Sequence, residues 1–221
     1  VNPPAITALE TADWRRRVFS LYERVRELAA DDIVGAHDLW REKRDALFAG
    51  HPATPLLPED RPAFRGLPVA GYDPAWRFTA EIEEPSADDP RPRRFEFATG
   101  TDGVVPFELL GIAHIDGVGT LDVWRLASYG GGLFVPVKDA LAGRPDGTYG
   151  GGRYLVDTIK GANLNGLVES GVASSNRLVL DFNFAYNPSC AYDPAWACPL
   201  AQPGNIVPVE VPVGEHYAGM H

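Results

Sequence analysis

The sequence predicts a mainly β protein, an antiparallel barrel or sandwich with two N-terminal α-helices. Three observations support that class. Apolar residues first recur at helical spacing, from Trp14 to Phe48. The period then changes to two, with Trp76, Phe78, Ala80 and Ile82 alternating with Arg77, Thr79 and Glu81. Short apolar runs follow, separated by Gly and Asp-Gly turns, with no helical pattern between them.

The elements follow in order. Asp13 to Ala30 reads as an amphipathic helix, with Trp14, Val18, Leu21, Tyr22, Val25 and Leu28 on one face and Thr11 or Asp13 as the cap. A second helix runs from Ala36 to Ala49, its face made by Leu39, Trp40, Leu47 and Phe48 and its stop by Gly50. From His51 to Gly71 prolines dominate, yet Leu56, Leu57, Phe64 and Leu67 are too apolar for a free linker, so this is an ordered connection. Strands are expected over Trp76 to Ile82 and at Phe95 to Phe97. Further ones should cover Val104 to Gly111, Thr120 to Leu126, Leu133 to Val137, Arg153 to Ile159 and Leu178 to Phe182. Asp102-Gly103 and Asp116-Gly117 mark tight turns between them. A last strand, Ile206 to Val213, is confined to an edge by Pro208 and Pro212. The expected organisation is a helical segment (1–50), the connection (51–71) and a β-rich body (72–221), together one structural domain. Tyr72-Asp-Pro-Ala-Trp76 recurs as Tyr192-Asp-Pro-Ala-Trp196, so one turn geometry is expected twice.

With 221 residues, 45% hydrophobic and 23% charged, the chain has the make-up of an ordered soluble protein. Its net charge of -10, without a basic stripe, argues against nucleic acid as a partner. No apolar run is long enough to span a membrane. The N-terminus has neither the basic start nor the apolar core of an export signal, so a cytoplasmic setting is expected, although a chain beginning without Met leaves room for a removed signal. The glycine clusters Gly130 to Gly132 and Gly150 to Gly152 lack the spacing of a phosphate or dinucleotide loop. A paired-histidine zinc helix and a serine elbow are also missing, so neither metal nor cofactor is expected.

The segment Leu178 to Asn205 concentrates the special residues. Asp181 and Asn183 point to one side if the strand continues, and Asn187 follows. Such a cluster either braces a turn as a satisfied network or faces a ligand. A second cluster holds Lys138, Asp139, Tyr149, Arg153 and Tyr154 at strand ends and on the loop between them. Arg153 can pair with Asp139, meet Asp181 across a sheet, or hold an anion with two parallel hydrogen bonds. Gly214-Glu215-His216 offers a carboxylate beside an imidazole. The expectation is a pocket beside the Asp181-Phe-Asn183 strand end for a small polar or anionic molecule. Lys138 and Arg153 would neutralise charge there, and Asn183, Asn187 and Tyr154 would orient the ligand, with Asp139 and Tyr149 in the same set. Asp181 or Glu215 would be the acid or base of any reaction. The alternative is a non-catalytic interaction module in which these residues only brace the loop. For Cys190 and Cys198 four readings stand: structural thiols, which come first, a disulfide, half of a metal site needing His114, Asp116 or His216, or a reactive thiol.

The stretches TYGGGRYL and DFNFAYNPSCAYDPAWACPL, the following Asn205 and the late Gly214-Glu215 resemble the signature of the domain-of-unknown-function sixteen-eighty-four family. WREKRDALFAGHPATPLL, FRGLP and LFVPVKD resemble its shorter members, so the likeness runs from about Trp14 onward. The resemblance implies a compact β-rich module found in bacteria and archaea, and attaches no role to any residue. Two departures stand out: Val137 replaces an expected phenylalanine, and Lys160 to Asn176 is longer than the usual connection.

Overall fold

The computed structural model describes residues 3–98, 103–165, 175–217 and 219. Its first helix, α1 (Pro4–Ala29), starts well before the position that periodicity indicates. Pro4 stands in the first turn, where its missing N–H costs nothing and its fixed φ favours the helix. That turn carries no amphipathic pattern because it buries nothing: Ile6 and Leu9 are exposed. Asp13 is therefore an interior residue and not a cap. It accepts from Arg17 Nε at 2.6 Å and faces His51 Nε2 at 3.2 Å, tying α1 to the end of the next helix.

Helix α2 (Ile33–Gly50) is capped by Asp32, whose side chain accepts from the Gly35 N–H at 2.9 Å. Its buried face is Ala36, His37, Trp40, Arg44 and Phe48. Leu39 and Leu47 are only half-buried, so the packed stripe is rotated from the expected one and has a guanidinium at its centre.

Seven antiparallel strands follow: β1 (Arg77–Glu83), β2 (Arg94–Ala98), β3 (Val104–Ile115), β4 (Gly119–Leu126), β5 (Leu133–Val137), β6 (Arg153–Asp157) and β7 (Arg177–Asp181). The order is β6-β5-β4-β3-β1-β7, with β2 also pairing with β3. The long β3 is the spine. Its first half pairs with β2, its second half meets β1, and β4 runs along nearly all of it. A register shift between Leu109 and Gly111 bends this strand. Glycine is required there, since a Cβ on Gly111 would stand 2.6 Å from the Glu83 carbonyl oxygen. Beyond β7, Tyr186 exchanges backbone hydrogen bonds with Tyr154 of β6 at 2.8 and 3.0 Å, so the sheet curls toward closure as a half-barrel.

Residues 206–213 do not form the expected edge strand. Only an isolated bridge joins Ile206 to Lys138, because Pro208 and Pro212 remove two of the donors a ladder needs. The segment still buries Val207, Val211 and Val213 against the sheet. Strand β6 stops at Asp157, and 158–160 turn as one 3-10 helix. The Asp116-Gly117 turn forms as expected. Asp102 and the middle of the long 160–176 connection lie outside the described residues.

The concave side of the sheet holds Leu121, Val123, Val135, Val137, Leu180 and Phe182, all essentially inaccessible. Val137, in place of the expected phenylalanine, is fully buried there. A second core joins the helices to the sheet through Tyr22, Val25, Trp40, Trp124, Phe134, Tyr154 and Phe184. Residues 51–71 are ordered, with Leu56 and Leu67 buried beside Phe48 and Tyr192.

Candidate functional site

The repeated pentapeptide forms the same turn twice. Asp73 accepts from Ala75 N–H at 2.9 Å and Asp193 from Ala195 N–H at 2.8 Å, and the following Trp N–H bonds back to the Asp carbonyl in both. Each turn also positions a tyrosine against a buried carboxylate. Tyr72 donates to Asp181 at 3.2 Å, and Tyr192 donates to Glu215.

The two carboxylates have parallel surroundings. Asp181 receives Arg77 at 2.9 Å, the side chain of Asn183 at 2.8 Å and the Asn183 N–H at 3.1 Å. Glu215 receives Arg44 at 2.6 Å, the side chain of Asn187 at 3.2 Å and the Asn187 N–H at 3.1 Å. A tyrosine, an arginine and an asparagine therefore hold each carboxylate, and each centre ties an earlier part of the chain to the body. Burial pushes the Glu215 carboxyl upward, while Arg44, Tyr192 and Asn187 pull it back. Burial works against the Arg44 guanidinium, but Glu215 together with Tyr192, Tyr22 and Tyr186 offsets it and holds Arg44 above its ordinary value. Burial raises the Tyr192 hydroxyl well above its ordinary value, so it stays a donor.

Arg153 is buried away from Asp181. It donates to Asp139 at 3.0 Å and to the carbonyls of Val211, Val213 and Glu215. Of its two expected carboxylate partners, Asp139 is the one it meets; Asp181 is held by Arg77 instead. Thr148 and the Leu141 N–H complete Asp139 at 2.9 Å each. Lys138 is half-buried and exchanges backbone hydrogen bonds with Asn205 and Val207. Asn183 also bonds the backbone of Asp73 in both directions, and its carbonyl accepts from the His37 Nε2 at 3.0 Å. Burial keeps His37 below its ordinary value, hence neutral. Tyr154 donates to the Pro199 carbonyl at 2.7 Å, and Tyr149 reaches the Cys190 carbonyl at 3.4 Å. Both cysteines are free and half-buried.

One cleft of about 150 Å³ lies between the helices and the 186–196 loop. Trp14 and Val18 of α1, Arg44 and Phe48 of α2, and Tyr186, Asn187, Tyr192 and Trp196 of the loop make its walls, with Arg15 and Lys160 also lining it. Among the residues expected from sequence to bind a ligand, only Asn187 lines this space; Lys138, Asp139, Tyr149, Arg153, Tyr154 and Asn183 do not. Arg44 stacks over Trp40, Phe48 and Tyr186 at 4.8, 5.5 and 5.0 Å from their ring centres. The Nε of Arg44 and the Oδ1 of Asn187 are buried without a hydrogen-bond partner. Sequence reasoning passed over Arg44. Its signal was present: Trp40, Arg44 and Phe48 recur every fourth residue, placing a charge on a buried stripe.

Among the described residues no group of three potential metal ligands comes together, and no helix is long and apolar enough to cross a membrane.

These features define a mainly β half-barrel with a helical flank, braced by buried carboxylate centres, with a cleft between the helices and the 186–196 loop. The chain belongs to the family described as protein of unknown function (DUF1684), whose sequence model matches residues 62–216. Glu215, Asn187 and Tyr192 fall inside that match, while α1, α2 and Arg44 precede it. The fold is similar to the solution NMR structure of an uncharacterised protein from gene locus rrnAC0354 of Haloarcula marismortui. Identity is 29% and the TM-score 0.56, over 82% of this chain and 92% of that one. No curated protein matches the chain.

Proposed function

We propose that the protein binds a small polar or anionic molecule with an apolar body in the cleft between α1, α2 and the 186–196 loop. The observation that carries this reading is the pair of unpartnered buried atoms, the Arg44 Nε donor and the Asn187 Oδ1 acceptor, on two residues that line one cavity. Leaving such atoms unpaired costs about 1–3 kcal/mol each, a cost a ligand group offering both an acceptor and a donor would remove. A carboxylic acid or an amide has that chemistry. The aromatic walls suit an apolar body, and a space of about 150 Å³ is the size that admits a single benzene-like ring. Arg15 and Lys160 on the lining favour an anion over a cation.

In this reading the ligand lies on the helix side of the Asn187 loop, and Asp181, Asn183, Arg153 and Asp139 serve as its frame. Glu215 lies beneath, acting on the ligand through Arg44 and Asn187.

The test is native mass spectrometry of the purified chain, followed by NMR screening of small carboxylic acids and amides. Binding should shift the indole signals of Trp14 and Trp196, and Trp14→Ala should weaken it about tenfold or more. Hits that leave both indoles unmoved, or bind the Trp14 variant equally well, would overturn the reading.

A further inference from the structure

We propose that the outer groove between α1 and α2 docks an acidic amphipathic helix of a partner protein, about four turns long. This goes beyond the ligand reading and uses a different surface. Groove and cleft share only Leu21 and Leu47. Where Trp14, Val18 and Tyr22 of α1 line the cleft, Asp13, Arg17 and Arg24 line the groove, on another face of the same helix.

The groove encloses about 1080 Å³. Its α1 wall runs from Leu9 to Arg24, about 22 Å at about 1.5 Å per residue, which is room for a third helix to lie along the pair. The floor is apolar. Leu21 is buried, Leu39 and Leu47 are half-buried, and Leu9 at the open end is 72% exposed. The first turns of α1 bury nothing within the chain, so Leu9 continues the floor as apolar surface left to water. One stripe of leucine-like side chains would cover the whole line.

The walls are basic on an acidic protein. Arg16, Arg17, Arg24 and Lys43 line the groove with Glu10 and Asp13. Four cations less two carboxylates leave +2 there, while the whole chain is -10, so the remainder carries -12. The surplus has definite places. Arg16 and Arg17 both bond the single Asp13 carboxylate, which His51 also meets at 3.2 Å, so one positive charge is left over. Arg24 has no ion pair or hydrogen bond among the described residues. Lys43 pairs with its chain neighbour Glu42, which does not line the groove. Arg17 and Arg24 stand two turns apart on one face, about 10.5 Å along the axis. The complement is a helix with carboxylates at i and i+7 and leucine-like residues at i+3 and i+4 between them. Exposed ion pairs contribute little each, so the floor supplies affinity and the charges choose the partner and its orientation. A nucleic acid offers no apolar stripe to the floor and is repelled by the rest of the surface.

The probe is a capped alanine-based peptide of about fifteen residues, with Glu at i and i+7 and Leu at i+3 and i+4, titrated into the full nitrogen-15-labelled chain. Amide signals along the facing sides of α1 and α2 should shift, while those of the 186–196 loop stay. Replacing the Glu residues by Lys, or the Leu residues by Ala, should abolish the shifts. Arg24→Glu, at a side chain that holds nothing in the fold, should weaken binding about fivefold or more, and a peptide with Lys at the facing position should recover it. No shift along the groove at about 1 mM peptide, equal binding of either control peptide, shifts confined to the 186–196 loop, or unchanged affinity of Arg24→Glu would each overturn the proposal. Self-association in sedimentation that Arg24→Glu removes would assign the groove to a second copy of the chain, and a single-stranded oligonucleotide that binds more tightly than the acidic peptide would assign it to nucleic acid. Either result would overturn the proposal as well.

Discussion

Arg44→Met is the most informative single change, because it separates a buried ion pair from ordinary helix packing. Methionine keeps most of the stem that lies over Trp40, Phe48 and Tyr186 but removes the guanidinium 2.6 Å from Glu215. Glu215 is fully buried, so its charge loses the guanidinium paired with it in a place water does not reach. Breaking such a pair from one side costs about 3–5 kcal/mol, a large part of the about 5–15 kcal/mol that holds a domain folded. Arg44→Met with Glu215→Gln removes both charges, and should recover about 2 kcal/mol or more relative to the sum of the single changes. The pH dependence has a definite sign. Burial holds the folded Glu215 carboxyl above its ordinary 4.5, so the folded state binds more protons than the unfolded one in that window. The corresponding stability is fully present below 4.5 and falls as pH rises through the folded value. Arg44 lowers that value, so its removal raises it further, and the deficit of Arg44→Met should widen toward neutrality and shrink on acidification. Urea unfolding followed by tryptophan fluorescence at about pH 7 and about pH 5 measures both effects. A loss under about 1 kcal/mol, or a deficit that does not shrink as pH falls, would refute an ionised Glu215 held by Arg44.

Two further outcomes follow from the same geometry. Arg153→Met should cost about 3–5 kcal/mol by removing the ion pair of Asp139 and the donors to three tail carbonyls, and hydrogen exchange should quicken over 207–217; unchanged protection there would show that the guanidinium does not hold the tail. Gly214→Ala places a Cβ 2.6 Å from the Phe182 carbonyl oxygen at a φ of +76°, so a loss of more than about 1–2 kcal/mol is expected in thermal melts, and an unchanged melting temperature would contradict the close approach that positions Glu215.

The sheet was legible because its strands carry their own signals. Alternation in β1 and compact apolar runs in β4 to β7 placed those elements within a residue or two. The Ile206 to Val213 strand failed for a local reason: its apolar residues are buried, but its prolines cannot donate to a ladder. The start of α1 failed for the opposite reason, since an exposed turn needs no apolar pattern. At the site, the sequence singled out Asp139, Arg153, Asp181, Asn183, Asn187 and Glu215. It left open whether they brace a turn or face a ligand. All six are buried with partners, and only Asn187 also lines the cleft.

The sequence by itself determined the fold class, the family, the repeated turn and the set of polar residues that had to be satisfied, because propensity, periodicity and turn chemistry are local. Partnership was decided only by the tertiary structure. Arg44 and Glu215 stand far apart in the chain, as do Arg77 and Asp181, and nothing in local composition says which arginine will neutralise which carboxylate. The cleft arises in the same way, from two helices and a loop that meet only after the sheet has curled. Burial leaves few ways to pair the charges brought inside, and the packing of α2 onto the half-barrel selects among them.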